Sequence, residues 1–121
     1  MRLLLDTHAF LWFVMGDPRL SVGARAAIEL TTNTKYVSVA SAWEIAIKVS
    51  IGKLKLAEAF AGLIPREISS NGFLILPIDL THINVVGTLP FHHRDPFDRM
   101  LVAQTLVGQM SLVSGDASLD A

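Results

Sequence analysis

The sequence predicts an α/β fold whose central, mostly parallel sheet is flanked by helices, and three observations carry that expectation. Short apolar runs at residues 3–5, 36–39, 73–78 and 111–113 have the unbroken pattern of strands covered on both faces. Segments with helical periodicity separate them, as crossover connections between parallel strands require. Acidic residues stand just beyond several of these runs, where open parallel sheets place their ligand sites.

Taken in order, Leu3, Leu4 and Leu5 form the first strand, which stops at Asp6. Residues 7–15 read as a helix with Phe10, Leu11 and Val14 on one side, ended by Asp17-Pro18. Ser21 caps a second helix running to about residue 31, and Asn33-Thr34 leads into the strand 36–39. Ser41 opens a third helix. Its two apolar stripes, Ala42/Ile45/Ala46/Val49 and Trp43/Ile47/Ile51, face different ways and predict packing on more than one side. Gly52 ends it, and Lys53-Leu54-Lys55 is a polar connection.

A fourth helix over residues 57–69 contains Pro65, which predicts a kink or a split, and Asn71-Gly72 closes it. The strand 73–78, a short helix over 80–87 and a loop over 88–94 follow. Asp95 before Pro96 marks the start of a helix that runs to Gln109. Its apolar stripe, Phe97, Leu101, Val102 and Leu106, encloses Asp98, so this carboxylate is expected to point inward. The last strand, 111–113, gives way to Ser114-Gly115-Asp116. With no internal repeat, low-complexity tract or linker, residues 1–121 are expected to form a single domain.

Composition narrows the function. Half the chain (51%) is hydrophobic, mean hydropathy is +0.47 and only 17% is charged, which predicts apolar surface left over for a protein partner or a second copy. A net charge of −1 and a pI near 6.4 leave no overall footprint for nucleic acid, so such a ligand would have to be held by a local patch. The absence of cysteine excludes disulfides, thiolate metal sites and a cysteine nucleophile, and fits a reducing cytoplasm. Asp6 interrupts the N-terminal apolar run too early for a signal peptide, and the longest uncharged stretch, 100–115, is too polar for a membrane span.

Four acids are the candidate site. Asp6 follows the first strand, Glu44 lies in the helix after the second, Asp116 follows the last, and Asp98 is turned toward the core; parallel strands put all four at one sheet edge. Each also has a local explanation. Asp6 is a natural N-cap for the helix at Thr7; Ser41 to Glu44 is a capping-box sequence, with Lys48 one helical turn on; Asp98 suits the positive end of its helix; Asp116 suits a turn. Asp95 is best explained as the cap itself, behind the site. Two carboxylates about 4 Å apart repel by roughly 4 kcal/mol at an effective dielectric near 20, so a cluster of four calls for a cation. An oxygen-only donor set favours Mg²⁺ or Mn²⁺, and such ions assist phosphodiester hydrolysis. Adjacent residues of an extended loop usually point apart, so His92 and His93 make zinc the weaker choice, while His8 is expected to pack or hydrogen-bond. Arg94 and Arg99 flank the acid-bearing helix start, where they could hold RNA phosphates or pair with the acids, and Lys48 is a candidate of the same kind.

Four stretches, LLLDTHAFLW at 3–12, SVASAWEIAIK at 38–48, HHRDPFDRMLVAQ at 92–104 and LVSGD at 112–116, together resemble the PIN-domain ribonucleases, and among them the VapC toxins of bacterial toxin–antitoxin pairs. Carried over position by position, the family's metal-binding acids fall on Asp6, Glu44, Asp98 and Asp116, and Thr7 matches the small hydroxyl residue beside the first acid. The resemblance implies a three-layer PIN-like fold and a Mg²⁺- or Mn²⁺-dependent endoribonuclease that is toxic when free. It also implies a homodimer, and an antitoxin lying in an apolar groove and supplying any contact with DNA. The family usually continues past the fourth acid into an aromatic segment and a final strand, but only residues 117–121 remain here. Either this chain is truncated or the C-terminal edge strand is absent, and the positioning of Asp116 and the dimer surface depend on which. Two other readings stay open: a catalytically silent PIN-like scaffold that binds protein or RNA, and a phosphotransfer domain. Against the second, Asp6-Thr7-His8 lacks the Asp-x-Asp pattern, and no lysine follows a late strand.

Overall fold

The structure, a computed structural model, describes residues 1–90 and 95–115. The triple leucine of β1 (Arg2–Leu5) lies at the heart of the sheet, with Leu3, Leu4 and Leu5 at most 2% exposed. On one side β1 pairs in parallel with β2 (Thr34–Ser38), placing Leu4 opposite Tyr36 and Leu5 opposite Val37; β2 in turn pairs with β3 (Leu74–Leu76). On its other side it pairs with β4 (Ser111–Val113), Leu5 opposite Val113. All pairings are parallel, in the order β3-β2-β1-β4.

Helices cover both faces of the central β1, which is why it needs no polar side; at the sheet edge, Leu74 and Ile75 of β3 stay 51% and 59% exposed, against the expectation from their apolar run. Leu5 and Val37 meet Phe10 of α1 (Thr7–Met15), Ile28 of α2 (Val22–Glu29), Ile45 of α3 (Val39–Ser50), and Ile64 and Ile68 of α4 (Phe60–Ser70), with Phe73 closing the cluster. Leu4 faces the opposite way, with Tyr36, Leu76 and Leu112, toward Phe97, Met100 and Leu101 of α6 (Pro96–Gly108). Beside α6 packs α5 (Leu80–Val86). The result is three layers, helices, sheet and helices. Strands β1 to β3 extend the sheet in one direction and β4 is added on the other side of β1, so the connectivity reverses at the β1–β4 boundary. A crevice at the carboxyl ends of these two strands is therefore where a ligand site is expected.

Some elements depart from the sequence expectation. Helix α3 begins at Val39 rather than Ser41, because the Ser38 hydroxyl accepts the Ala40 N–H and caps the helix three residues early. The capping box at Ser41 to Glu44 therefore does not form, and Ser41 is fully buried inside the helix. Helix α3 packs on more than one side, as its two stripes predict. Ile45 and Val49 join the cluster with α1 and α4, Ala40 joins the one with α6, and the Trp43 ring meets Phe97 edge-on at 5.1 Å, although Trp43 and Ile51 stay 59% and 58% exposed. Helix α6 starts where Asp95-Pro96 predicts, but its covered face is rotated away from Leu106 toward Gln104, whose amide donates to the Pro77 carbonyl. Pro65 sits within α4, which starts at Phe60 without a side-chain cap. Strand β3 is shorter than residues 73–78 because the Phe73 N–H bonds back to the Ile68 carbonyl of α4 and Pro77 has no N–H to give to a ladder. No helix among the described residues is long and apolar enough to cross a membrane.

Candidate active site

Asp6 leaves β1 with its backbone N–H bonded to the Val113 carbonyl of β4 at 2.9 Å, so it stands at the strand boundary where the connectivity reverses. Its side chain caps α1, Oδ1 accepting the Ala9 N–H at 2.8 Å. The same carboxylate receives the Ser114 hydroxyl on Oδ2 at 2.8 Å and the Gly115 N–H at 3.1 Å from both oxygens. Donors from both ends of the chain thus fix the orientation of a carboxyl group that is only 3% exposed. Gly115 makes this approach possible. A Cβ there would lie 2.7 Å from the His8 Cβ and 2.9 Å from the Trp12 ring, inside van der Waals contact.

Glu44 comes in from α3, 7% exposed. Thr7, the first residue of α1, donates its hydroxyl to Oε1 at 2.6 Å, and the Lys48 ammonium lies 2.9 Å from Oε2. Asp98 comes in from the first turn of α6, partly buried. Asp95 caps that helix, its Oδ1 accepting the N–H groups of Phe97 at 2.8 Å and Asp98 at 3.2 Å.

These side chains line one cleft of about 90 Å³, walled by Asp6, Thr7, His8, Glu44, Lys48, Asp95 and Asp98. Three of the four candidate acids are brought together, and Asp95, expected behind the site, lies on its wall. Asp116, Arg94, His92 and His93 lie outside the described residues. Arg99 is not on the wall. Its guanidinium donates to the carbonyls of Val86 at 2.8 Å, Leu89 at 3.2 Å and Pro90 at 2.9 Å, tying the end of α5 to α6. Sequence reasoning missed Ser114 and Gly115 as supports of Asp6; the Ser-Gly pair after the last strand was visible only as a turn.

The cleft tolerates its negative charge because the N-termini of α1 and α6 both open onto it, with partial positive charge of their own, and because Lys48 lies against Glu44. The same two helix ends suit a phosphate group. Among the described residues no three His, Asp or Glu side chains are close enough to form a ready-made metal cage. The carboxylates of Asp6, Glu44 and Asp98 nevertheless fit a Mg²⁺-type ion, which is held by one or two carboxylates and retains its waters; the His8 imidazole on the same wall is stacked against Trp12. Asp6, Glu44 and Asp98 are the described groups that would hold it.

The profile of the PIN domain family matches residues 3–121. Ribonuclease VapC16 from Mycobacterium tuberculosis is 38% identical over 69 residues, covering 54% of this chain and 49% of that protein, so the chain spans about half the length of the curated relative it matches. The fold is similar to that in the crystal structure of VapBC2 from Rickettsia felis bound to a DNA fragment from their promoter, with a TM-score of 0.65 and 14% identity over 93% of this chain and 86% of that one. With the family profile matching nearly its whole length and a neighbour sharing its layered parallel sheet, the chain belongs to the PIN-domain family.

Proposed function

We propose that this chain is a metal-dependent endoribonuclease that hydrolyses RNA phosphodiester bonds, the toxin of a toxin–antitoxin pair, with Asp6, Glu44, Asp98 and Asp116 holding Mg²⁺ or Mn²⁺. The observation that carries it is the convergence of Asp6, Glu44 and Asp98, from three separate segments, on one cleft at the carboxyl edge of a parallel sheet. The names of its relatives, a ribonuclease and a toxin–antitoxin complex, agree with this reading. Asp116 enters from the sequence alone. We take residues 1–121 as one PIN-like domain acting in the cytoplasm, with a second copy of the chain and an antitoxin as protein partners.

A bound divalent ion supplies an activated water and neutralises charge on the phosphoryl oxygen. The chain's own residues orient and select. Asp6 is held rigid by the Ala9, Ser114 and Gly115 donors, and Thr7 fixes the Glu44 carboxylate beside it. The N-termini of α1 and α6 favour an anionic phosphate in a cleft whose own charge would otherwise repel it.

Purified protein is expected to cleave RNA with Mg²⁺ or Mn²⁺ and to stop when EDTA is added. Asp6→Asn and Asp98→Asn should each abolish cleavage. Asp98→Asn should leave the melting temperature close to that of the parent, whereas Asp6→Asn keeps the N-cap but turns an amide NH2 toward the Ser114 and Gly115 donors and should lower it, with folding checked by circular dichroism. Cleavage that persists in both variants overturns the proposal. The silent-scaffold reading draws on a different observation: Glu44 already has an ammonium and Asp6 three protein donors. RNA binding without metal-dependent turnover would establish it instead.

A further inference from the structure

A second cavity, of about 200 Å³, opens beside the acid cleft and shares His8 and Lys48 with it. Its wall holds a row of planar groups. The His8 and Trp12 rings stack with centroids 5.5 Å apart and planes 19° from parallel, and the Arg19 guanidinium lies 4.8 Å from the Trp12 ring centre. Asp17 holds Arg19 in that pose through hydrogen bonds of 2.7 to 3.1 Å, and these hold the Asp17 carboxyl below its usual range. Lys48 and Lys53 line the same cavity. Lys48 is shared with Glu44, whereas the exposed Lys53 ammonium makes no ion pair among the described residues.

We propose that this cavity is a nucleotide subsite for single-stranded RNA, in which a base continues the His8–Trp12–Arg19 row while the phosphate beside it meets Lys53. The inference rests on the endoribonuclease reading for the identity of its ligand. Stacking on aromatic rings and arginine planes, with cations alongside for the backbone, is how proteins hold unpaired bases. The volume is below the roughly 300–1,000 Å³ of cavities that enclose drug-sized ligands, and suits one nucleotide rather than a folded segment of protein. An acidic peptide would be drawn to the same lysine but makes no use of a row of planar groups. Continuity through His8 and Lys48 puts the subsite one step along the strand from the acids, where it would set which nucleotide flanks the cleaved bond.

The test is binding of a labelled single-stranded RNA hexamer to the full chain in EDTA, read by fluorescence anisotropy. Trp12→Ala removes the middle of the row, and with it the support of the end on which the base lies, so it is expected to weaken binding about 5- to 100-fold, and Trp12→Phe, which keeps a ring there, to restore most of it. Because Trp12 also packs on the core, the melting temperature of each variant is measured alongside. Lys53→Glu, on an exposed side chain, should weaken binding several-fold without moving the melting temperature. In a Trp43→Phe background the hexamer should quench the remaining Trp12 fluorescence. RNA affinity within twofold of the parent in both Trp12→Ala and Lys53→Glu, or tighter and Lys53-dependent binding of a polyglutamate peptide, overturns the subsite. A chain that binds RNA in this manner but never cleaves it keeps the subsite and loses the nuclease; one that cleaves with an unaltered KM in these variants does the reverse.

Discussion

Glu44 shows how a single side chain serves two descriptions. It is nearly buried, and its two oxygens are divided between a hydroxyl and an ammonium, so the helix-chemistry explanation and the functional one apply to the same atoms. Lys48→Met would leave Oε2 without its charged partner. A cost of about 1–3 kcal/mol is expected, the usual penalty for stranding a buried polar group, measurable by urea denaturation. Because an ion in the cleft would compete with this ammonium for Glu44, the variant should gain more in melting temperature from millimolar Mn²⁺ than the parent does. An equal or smaller gain would remove Glu44 from the ion site. Gly115 offers a second residue-scale check. An alanine Cβ would press on the His8 Cβ and the Ala9 nitrogen, which belong to α1 itself rather than to a flexible side-chain end, so Gly115→Ala should destabilise by about 1–3 kcal/mol in thermal melts. Asp6 was legible in the sequence because both its roles are announced locally, by the end of an apolar run and the start of a helix. Its Ser114 and Gly115 donors were not, since they come from the other end of the chain and meet it only through the β1–β4 pairing.

At the scale of elements, the starts of helices were easier to read than their faces. Asp95-Pro96 announces α6 by chemistry confined to three residues. Which side of α6 is covered depends on the sheet beneath it and on α5 beside it, and no periodicity within the helix encodes those. The rotation can be measured. Leu101→Ala removes a fully buried side chain and is expected to cost about 2–5 kcal/mol in urea titrations. Leu106→Ala, on the same helix but 59% exposed, should stay within about 0.5 kcal/mol. Comparable losses at both positions would restore the stripe suggested by spacing alone. The early start of α3 has a similar origin: Ser38 and Ser41 are both credible caps, and the parallel pairing of Ser38 with Leu76 carries the strand only as far as Ser38.

For the whole molecule, the high hydrophobic fraction predicted apolar surface beyond the core, and the three layers distribute it over two sides of the sheet. One helical layer holds a groove of about 310 Å³ with Val14, Leu56 and Leu63 in it and Glu58, Arg66 and Glu67 among the residues lining it, the place where the antitoxin proposed above would lay an apolar face. The opposite layer carries Leu80 and Ile83 on α5 and Leu106 and Val107 on α6, between 38% and 75% exposed. Adjacent apolar residues on two packed helices form the kind of patch that a second copy of the chain can cover. Were the proposed second copy to cover the α5/α6 face and the proposed antitoxin the groove, the sheet between them would let both bind at once. Sedimentation equilibrium should show a concentration-dependent dimer at micromolar protein. The Leu106→Glu, Val107→Glu double variant should sediment as a monomer and unfold at the midpoint the parent shows when diluted to monomer, since neither side chain belongs to the core. A parent chain that stays monomeric at every concentration, or a double variant that still dimerises, would place the second copy elsewhere and leave the α5/α6 face to another partner.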